Sequence, residues 1–382
     1  TSSVTNSGLV PSEATLTLAG GVTVRDLTLV NIGSGNHNVA LLERWGAAGI
    51  LIEDVSIRTE GVGSNNYGVF LNSFGRLVLN QVTARAENGT TSNAGMYGYD
   101  GPLVDAHNSS FTASGGETAS GIYADWTGLD LFNTTVVGQN ASIENYGLFS
   151  TNDSEISLQG GSYEAYGGSY ATGIDHGGQN TYLPVLDAAD IRVHGDWAST
   201  ANVGLRNHSG GNTTLQGGSY SADGGEEAIG VQNEGSGSSL TASDIMAYAN
   251  NSTGANTGFL NSNSARAELS GGQYQGWNGQ EAHGIYNQSD GQLQVFQGHA
   301  GGNGASDLSC GLESDSADST YVYGGRFTGD NAITNLGIRN TATYLEIKNA
   351  VLFGATAALD VQSGLVHVGV SQVDGGIVNT AG

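Results

Sequence analysis

The stretch Asn66-Tyr67-Gly68-Val69-Phe70-Leu71-Asn72-Ser73, followed shortly by Leu77-Val78-Leu79-Asn80-Gln81-Val82-Thr83-Ala84, decides the fold. On both sides of the Asn80-Gln81 step, apolar and polar residues alternate with a period of two. That is the pattern of short strands with one buried face, and the polar step between them reads as a turn. The same shape returns in Leu129-Asp130-Leu131-Phe132-Asn133-Thr134-Thr135-Val136 and in Ile156-Ser157-Leu158-Gln159-Gly160-Gly161-Ser162-Tyr163. No stretch shows a 3.6-residue apolar stripe, so helices are not expected.

Outward from that stretch, the Gly68-Val69 step recurs along the chain. It returns at Gly95-Met96, Gly121-Ile122, Gly147-Leu148, Gly173-Ile174, Gly204-Leu205, Gly230-Val231, Gly258-Phe259, Gly284-Ile285, Gly311-Leu312 and Gly337-Ile338. The intervals are 26 to 28 residues, with a single one of 31, and the residue after Gly is apolar every time. A fixed period of this length marks a repeat architecture. It is too short for a propeller blade, and the leucine-rich consensus is absent. Three short strands in about 27 residues make one coil of a parallel β-solenoid, and about 12 such coils are expected. Residues 1–14 are expected to form an extended segment and 15–382 a single solenoid domain, most regular over about 66–340.

Coils that stack about 4.8 Å apart place equivalent residues in ladders. Three are legible. Asn207, Asn233, Asn261, Asn287 and Asn340 lie three residues after a repeat glycine and are expected to exchange amide hydrogen bonds at a bend. Tyr163, Ile191, Tyr220, Ile245, Tyr274, Ala300 and Phe327 follow Gly-Gly doublets or their counterparts. They read as a core stack in which large rings alternate with smaller side chains. Phe70, Tyr97, Tyr123 and Phe149, two residues beyond the repeat glycine, are expected to point outward as an aromatic stripe that stacks on sugar rings or buries against a partner protein.

The units quoted above, with the opening Leu16-Thr17-Leu18-Ala19-Gly20-Gly21-Val22-Thr23-Val24-Arg25-Asp26-Leu27-Thr28-Leu29, resemble bacterial right-handed parallel β-helix repeat proteins of the pectate-lyase and pectin-esterase-like superfamily. The resemblance covers nearly the whole chain and implies an all-β, right-handed parallel β-helix. The superfamily hosts lyases, hydrolases, esterases, tailspikes, adhesins and non-catalytic surface proteins, so the fold does not fix the function. Its catalytic signatures are missing here. There is no Asp-Asp pair, the sole lysine is Lys348, and His283-Gly284 matches a dipeptide already explained by the repeat. No catalytic residue is therefore assigned.

Composition excludes further classes. The chain of 382 residues has 62 Gly but only 3 Pro, without collagen's three-residue period. With 11 Lys+Arg against 36 Asp+Glu, its net charge of −25 opposes nucleic-acid and anionic-membrane partners. No uncharged apolar run reaches the roughly 18–20 residues that span a bilayer, so direct membrane insertion is not expected. The single Cys310 allows neither an internal disulfide nor a cysteine-based zinc site. The eight histidines lack metal-ligand spacing, so no metal site or cofactor is assigned. Acidic turns at Glu226-Glu227 and at Glu313, Asp315 and Asp318 are the candidate places for Ca2+.

The reading that fits best is a non-catalytic structural or adhesive protein of the extracellular space or bacterial cell surface. It is expected to self-associate, head-to-tail or laterally, as a filament or fibre subunit, with carbohydrate as a further partner. The alternative is a polysaccharide-active lyase, hydrolase or tailspike-like depolymerase. Its carboxylates, for instance Glu144, Asp153 and Asp175, would have to converge from adjacent coils.

Overall fold

A computed structural model describes residues 2–3, 13–43, 49–72, 74–178 and 183–380. The chain is an all-β parallel solenoid of about 12 turns of about 27 residues, with no helix among the described residues. Its residues divide into two compact units, Thr1–Val193 and His194–Gly382. The segment expected to be extended at the start lies largely outside the described residues.

In the first unit, a representative coil is built from a long strand, Ser92–Tyr99, and two short ones, Leu103–His107 and Ser110–Ser114. Each pairs in parallel with its counterparts one coil before and one coil after, such as Asn65–Asn72 and Thr118–Asp125 for the long strand. In the second unit, Ala255–Ser262, Arg266–Ser270 and Gln273–Trp277 play the same parts. The expected three strands per coil are therefore present. Alternation places Val104, Ala106, Phe111 and Ala113 inside, fully buried, while Leu103 and His107 face out.

The repeat glycine has a packing cause. A Cβ on Gly258 would stand 2.5 Å from the Gln275 amide nitrogen, and one on Gly284 would stand 2.4 Å from that of Gly301. Here the backbone of the long strand lies directly against the backbone of the second short strand. No side chain fits between the two walls, so the period read from the sequence is the period of this close approach.

The residues of the expected core stack are buried but do not form one column, because Ile191 and Ile245 lie outside it. Tyr163, Ile191, Tyr220, Ile245, Tyr274 and Phe327 are all buried. In the second unit, however, Tyr220 pairs with Ala247, Ala247 with Tyr274, Tyr274 with Ala300, and Ala300 with Phe327. Ile245 sits at the bend before that strand, where its carbonyl accepts from Gln273 N at 2.8 Å and Met246 N donates to Gly218 O at 3.0 Å. It thus continues the corner of Gly218 and Gly272, and Ile191 likewise follows Gly161 through the bond from Arg192 N to Gly161 O. Corner and strand trade volume. Where the corner is Gly218 or Gly272 the strand carries a ring, and where the corner is Ile245 the strand carries Ala247; at Gly298 and Ala300 both positions are small. A Cβ on Gly272 would stand 3.0 Å from the Tyr274 hydroxyl, which shows the ring using that space.

Polar corners are closed by asparagine. Asn207 Nδ2 donates to Asn233 Oδ1, Asn233 Nδ2 to Asn261 Oδ1, and Asn261 Nδ2 to Asn287 Oδ1, each at 2.8 Å, with all four residues fully buried. The amide chain ends where Asn287 donates to Thr320 Oγ1, because Ser314 takes the next position. Asn340 lies one coil further and donates to Ser363 O at 2.8 Å instead. A second set, not anticipated from the sequence, stands two residues before the repeat glycine. Asn93 and Asn145 each accept from the amide four residues earlier and donate to a glycine carbonyl in the following coil, Gly115 and Gly167. Asn202 makes the same local amide bond in the second unit.

Candidate functional site

In the first unit, the outer face of the long sheet carries the expected stripe. Phe70, Tyr97, Tyr123 and Phe149 are in register on successive strands. Their ring centroids are 5.2, 4.6 and 5.0 Å apart, and interplanar angles of 3°, 6° and 26° make the stack continuous. Phe70 is closed off, at 1 % exposure, among Val39, Leu42 and Tyr67, while the other three rings are half-buried. Tyr67 flanks the stack at 5.0 Å from Tyr97, and Tyr146 lies 4.9 Å from Phe149. Burial pushes the Tyr67 phenol up to about 12 and raises Tyr97 and Tyr123 as well, helped by their neighbours' charges. The face therefore presents neutral phenols and π-surfaces at physiological pH. It is suited to stacking and hydrogen bonding rather than to proton transfer.

The equivalent face of the second unit is different. Val203, Ile229 and Leu260 form an apolar cluster with Tyr286 packed against it. Beside it His283, 1 % exposed at its side chain, has Nε2 at 3.3 Å from Glu281 and Nδ1 at 3.3 Å from Glu313. Arg339 binds the other Glu313 oxygen at 3.1 Å, and the His283 ring stacks on Tyr286 at 4.8 Å. The hydrogen bond from His283 holds the Glu281 carboxyl below its ordinary range, whereas burial raises Glu313.

Cys310 pairs with His283 in the ladder, so sulfur, imidazole and carboxylate gather on one surface. Sequence reading missed this group because its members are about one coil apart. The arrangement does not activate the thiol. Cys310 is fully buried, its Sγ lies 3.1 Å from the Leu312 carbonyl as donor, and burial pushes it well above the usual thiol range. A neutral thiol is a poor nucleophile.

Of the acids offered for convergence, Glu144 and Asp175 stand apart. Phe149 pairs with Asp175 while Glu144 pairs with Tyr170, five residues back along the same strand pair, roughly 16 Å away. Asp153 is exposed in the turn after the Glu144–Thr151 strand. Inverting and retaining glycosidases hold their two carboxyl groups within about 5–9.5 Å. Among the described residues, no group of three or more His, Cys, Asp or Glu side chains is placed to hold a metal ion. Of the acidic-turn candidates, Glu313 binds Arg339, Asp318 accepts from Gln292 at 2.8 Å, and Asp315 accepts from Thr341, while burial and the Glu234 charge raise the Glu227 carboxyl. No protein-family model, curated protein or solved structure matches the chain.

Proposed function

We propose that the chain is a non-catalytic structural or adhesive β-solenoid of the extracellular space or bacterial surface, self-associating as the subunit of a filament. Its kinship with bacterial right-handed β-helix proteins of the pectate-lyase-like superfamily, without their catalytic motifs, belongs to the same proposal. The observation that carries the reading is the commitment of side chains to stacking. Asparagine ladders close the corners, rings and aliphatics fill the interior, and the ordered outer rings form a contact face rather than an acid–base pair. The net charge of −25 suits a solvated exterior.

Two measurements test this reading. Incubation with neutral and acidic polysaccharides should release neither reducing ends nor unsaturated products. Turnover abolished by a single carboxylate substitution sinks the non-catalytic reading. Electron microscopy of concentrated protein should show linear or laterally ordered assemblies, and monodisperse monomers alone would remove the filament part.

A further inference from the structure

The second unit carries another ordered surface, on the outer face of its first short strands. A trough of about 400 Å³ runs there across successive coils, with Thr241, Arg266, Glu268, Gln292, Gln294 and Tyr321 among its lining residues. At Tyr321 the trough meets an aromatic plate. Tyr321 lies 5.5 Å from Tyr344 and 6.4 Å from Tyr323, and Tyr323 stacks on Phe296 at 5.4 Å. These rings are half-buried and fixed in register by the strand pairs. Hydroxyl, amide, guanidinium and carboxylate groups in a row beside rigid π-faces offer hydrogen bonds along one edge of a ligand and stacking against its flat side.

We propose that this trough and plate bind a neutral oligosaccharide chain laid along the stacking direction. Sugar rings present the matching chemistry, with hydroxyls around the rim and apolar C–H faces above and below. The glycan is neutral because the carboxylates of this face are matched by cations, Arg266 beside Glu268 in the lining and Lys348 paired with Glu346, while the net charge of −25 repels uronic or sulfated sugars. Binding occurs without cleavage. Glu268 and Glu346 share one outward column, following the pairs Glu268–Gln294, Gln294–Tyr321 and Tyr321–Glu346. Three coils separate them, roughly 14 Å, beyond the spacing at which two carboxyls act on one glycosidic bond. The inference rests on the adhesive reading above and supplies its ligand class.

Isothermal titration of the full chain with cellohexaose, mannohexaose and chitohexaose, and with hexagalacturonate as the acidic control, tests it. At least one neutral hexasaccharide should bind. Tyr321→Ala and Gln294→Ala should each weaken that binding at least tenfold, and Gln159→Ala, at an exposed short-strand position of the first unit, should leave it unchanged. Gln294 is exposed, so its variant keeps the test valid even if Tyr321→Ala folds poorly. Absence of binding by all three neutral sugars, or binding of hexagalacturonate alone, overturns the site while leaving the scaffold reading intact. Cleavage of a bound sugar overturns the non-catalytic reading and the claim of binding without cleavage, but leaves the glycan assignment of the trough standing.

Discussion

The long strands of the two units share their length, their glycine and their pairing, yet they spend equivalent positions differently. Three residues after the repeat glycine, the first unit places Leu71, Gly98, Ala124 and Ser150 in register, and the second places Asn207, Asn233, Asn261 and Asn287. One residue earlier, on the outer face, the first unit sets the stack from Phe70 to Phe149 and the second sets Arg206, Gln232, Leu260 and Tyr286. At these two positions the first unit thus keeps its directional order outside, in rings, and the second keeps it inside, in amides. Backbone geometry tolerates both, because a parallel ladder repeats whatever side chain occupies it.

Breaking the inner ladder should have the largest effect. Asn261→Ala removes the bonds to Asn233 and Asn287 and strands buried carbonyls. A loss of about 2–4 kcal/mol is expected in urea denaturation. Ser150→Ala, at the equivalent position of the first unit, should cost about 0.5–1.5 kcal/mol, since only its bond to His176 is lost. Equal losses would end the distinction between the units.

Next comes the corner that makes room for rings. Gly272→Ala puts a Cβ 2.6 Å from the Ile245 carbonyl and 3.0 Å from the Tyr274 hydroxyl at a φ of +79°. A cost of about 1–3 kcal/mol is expected from thermal melting.

The charged face of the second unit sharpens the comparison through pH. The folded Glu281 carboxyl lies below its unfolded value of 4.5. Its contribution is therefore fully present above that value and fades as the pH falls through the lower folded one. Glu281→Gln should flatten the acid limb of the melting-temperature profile below about pH 4.5. In the first unit, burial raises Asp125, so its effect has the opposite sign, favouring the fold as pH falls. The smallest effect belongs to Tyr274→Phe. Its hydroxyl is buried without a partner, so stability should stay level or rise by up to about 1 kcal/mol in the same denaturation assay.

Much of this was legible before any coordinates, and the part that was not has a physical reason. The glycine period was plain because two walls of backbone meet at Gly258 and its equivalents, which no other residue can satisfy. The Asn207–Asn287 ladder was plain because every coil there repeats the same residue. The core stack reads two residues out of register at Ile245, since hydrophobic bulk moves from strand to corner when Gly218 gives way to Ile245 and Tyr220 to Ala247. Aligning bulk with bulk conceals that exchange. The asparagines at Asn93 and Asn145 escaped notice because the intervening coil carries Ala119. As for the candidate sites, the stripe was visible as one residue type at one spacing. The trough around Gln294 was not, because mixed polar residues on an exposed strand carry no periodic signal.

The alternation of Tyr220, Ala247, Tyr274 and Ala300 also limits how such a chain can change length. Excising one coil would set Tyr220 directly against Tyr274, whereas excising two would leave large against small throughout. Copying errors in the gene should therefore survive selection only when they add or remove about 54 residues, twice the coil of about 27.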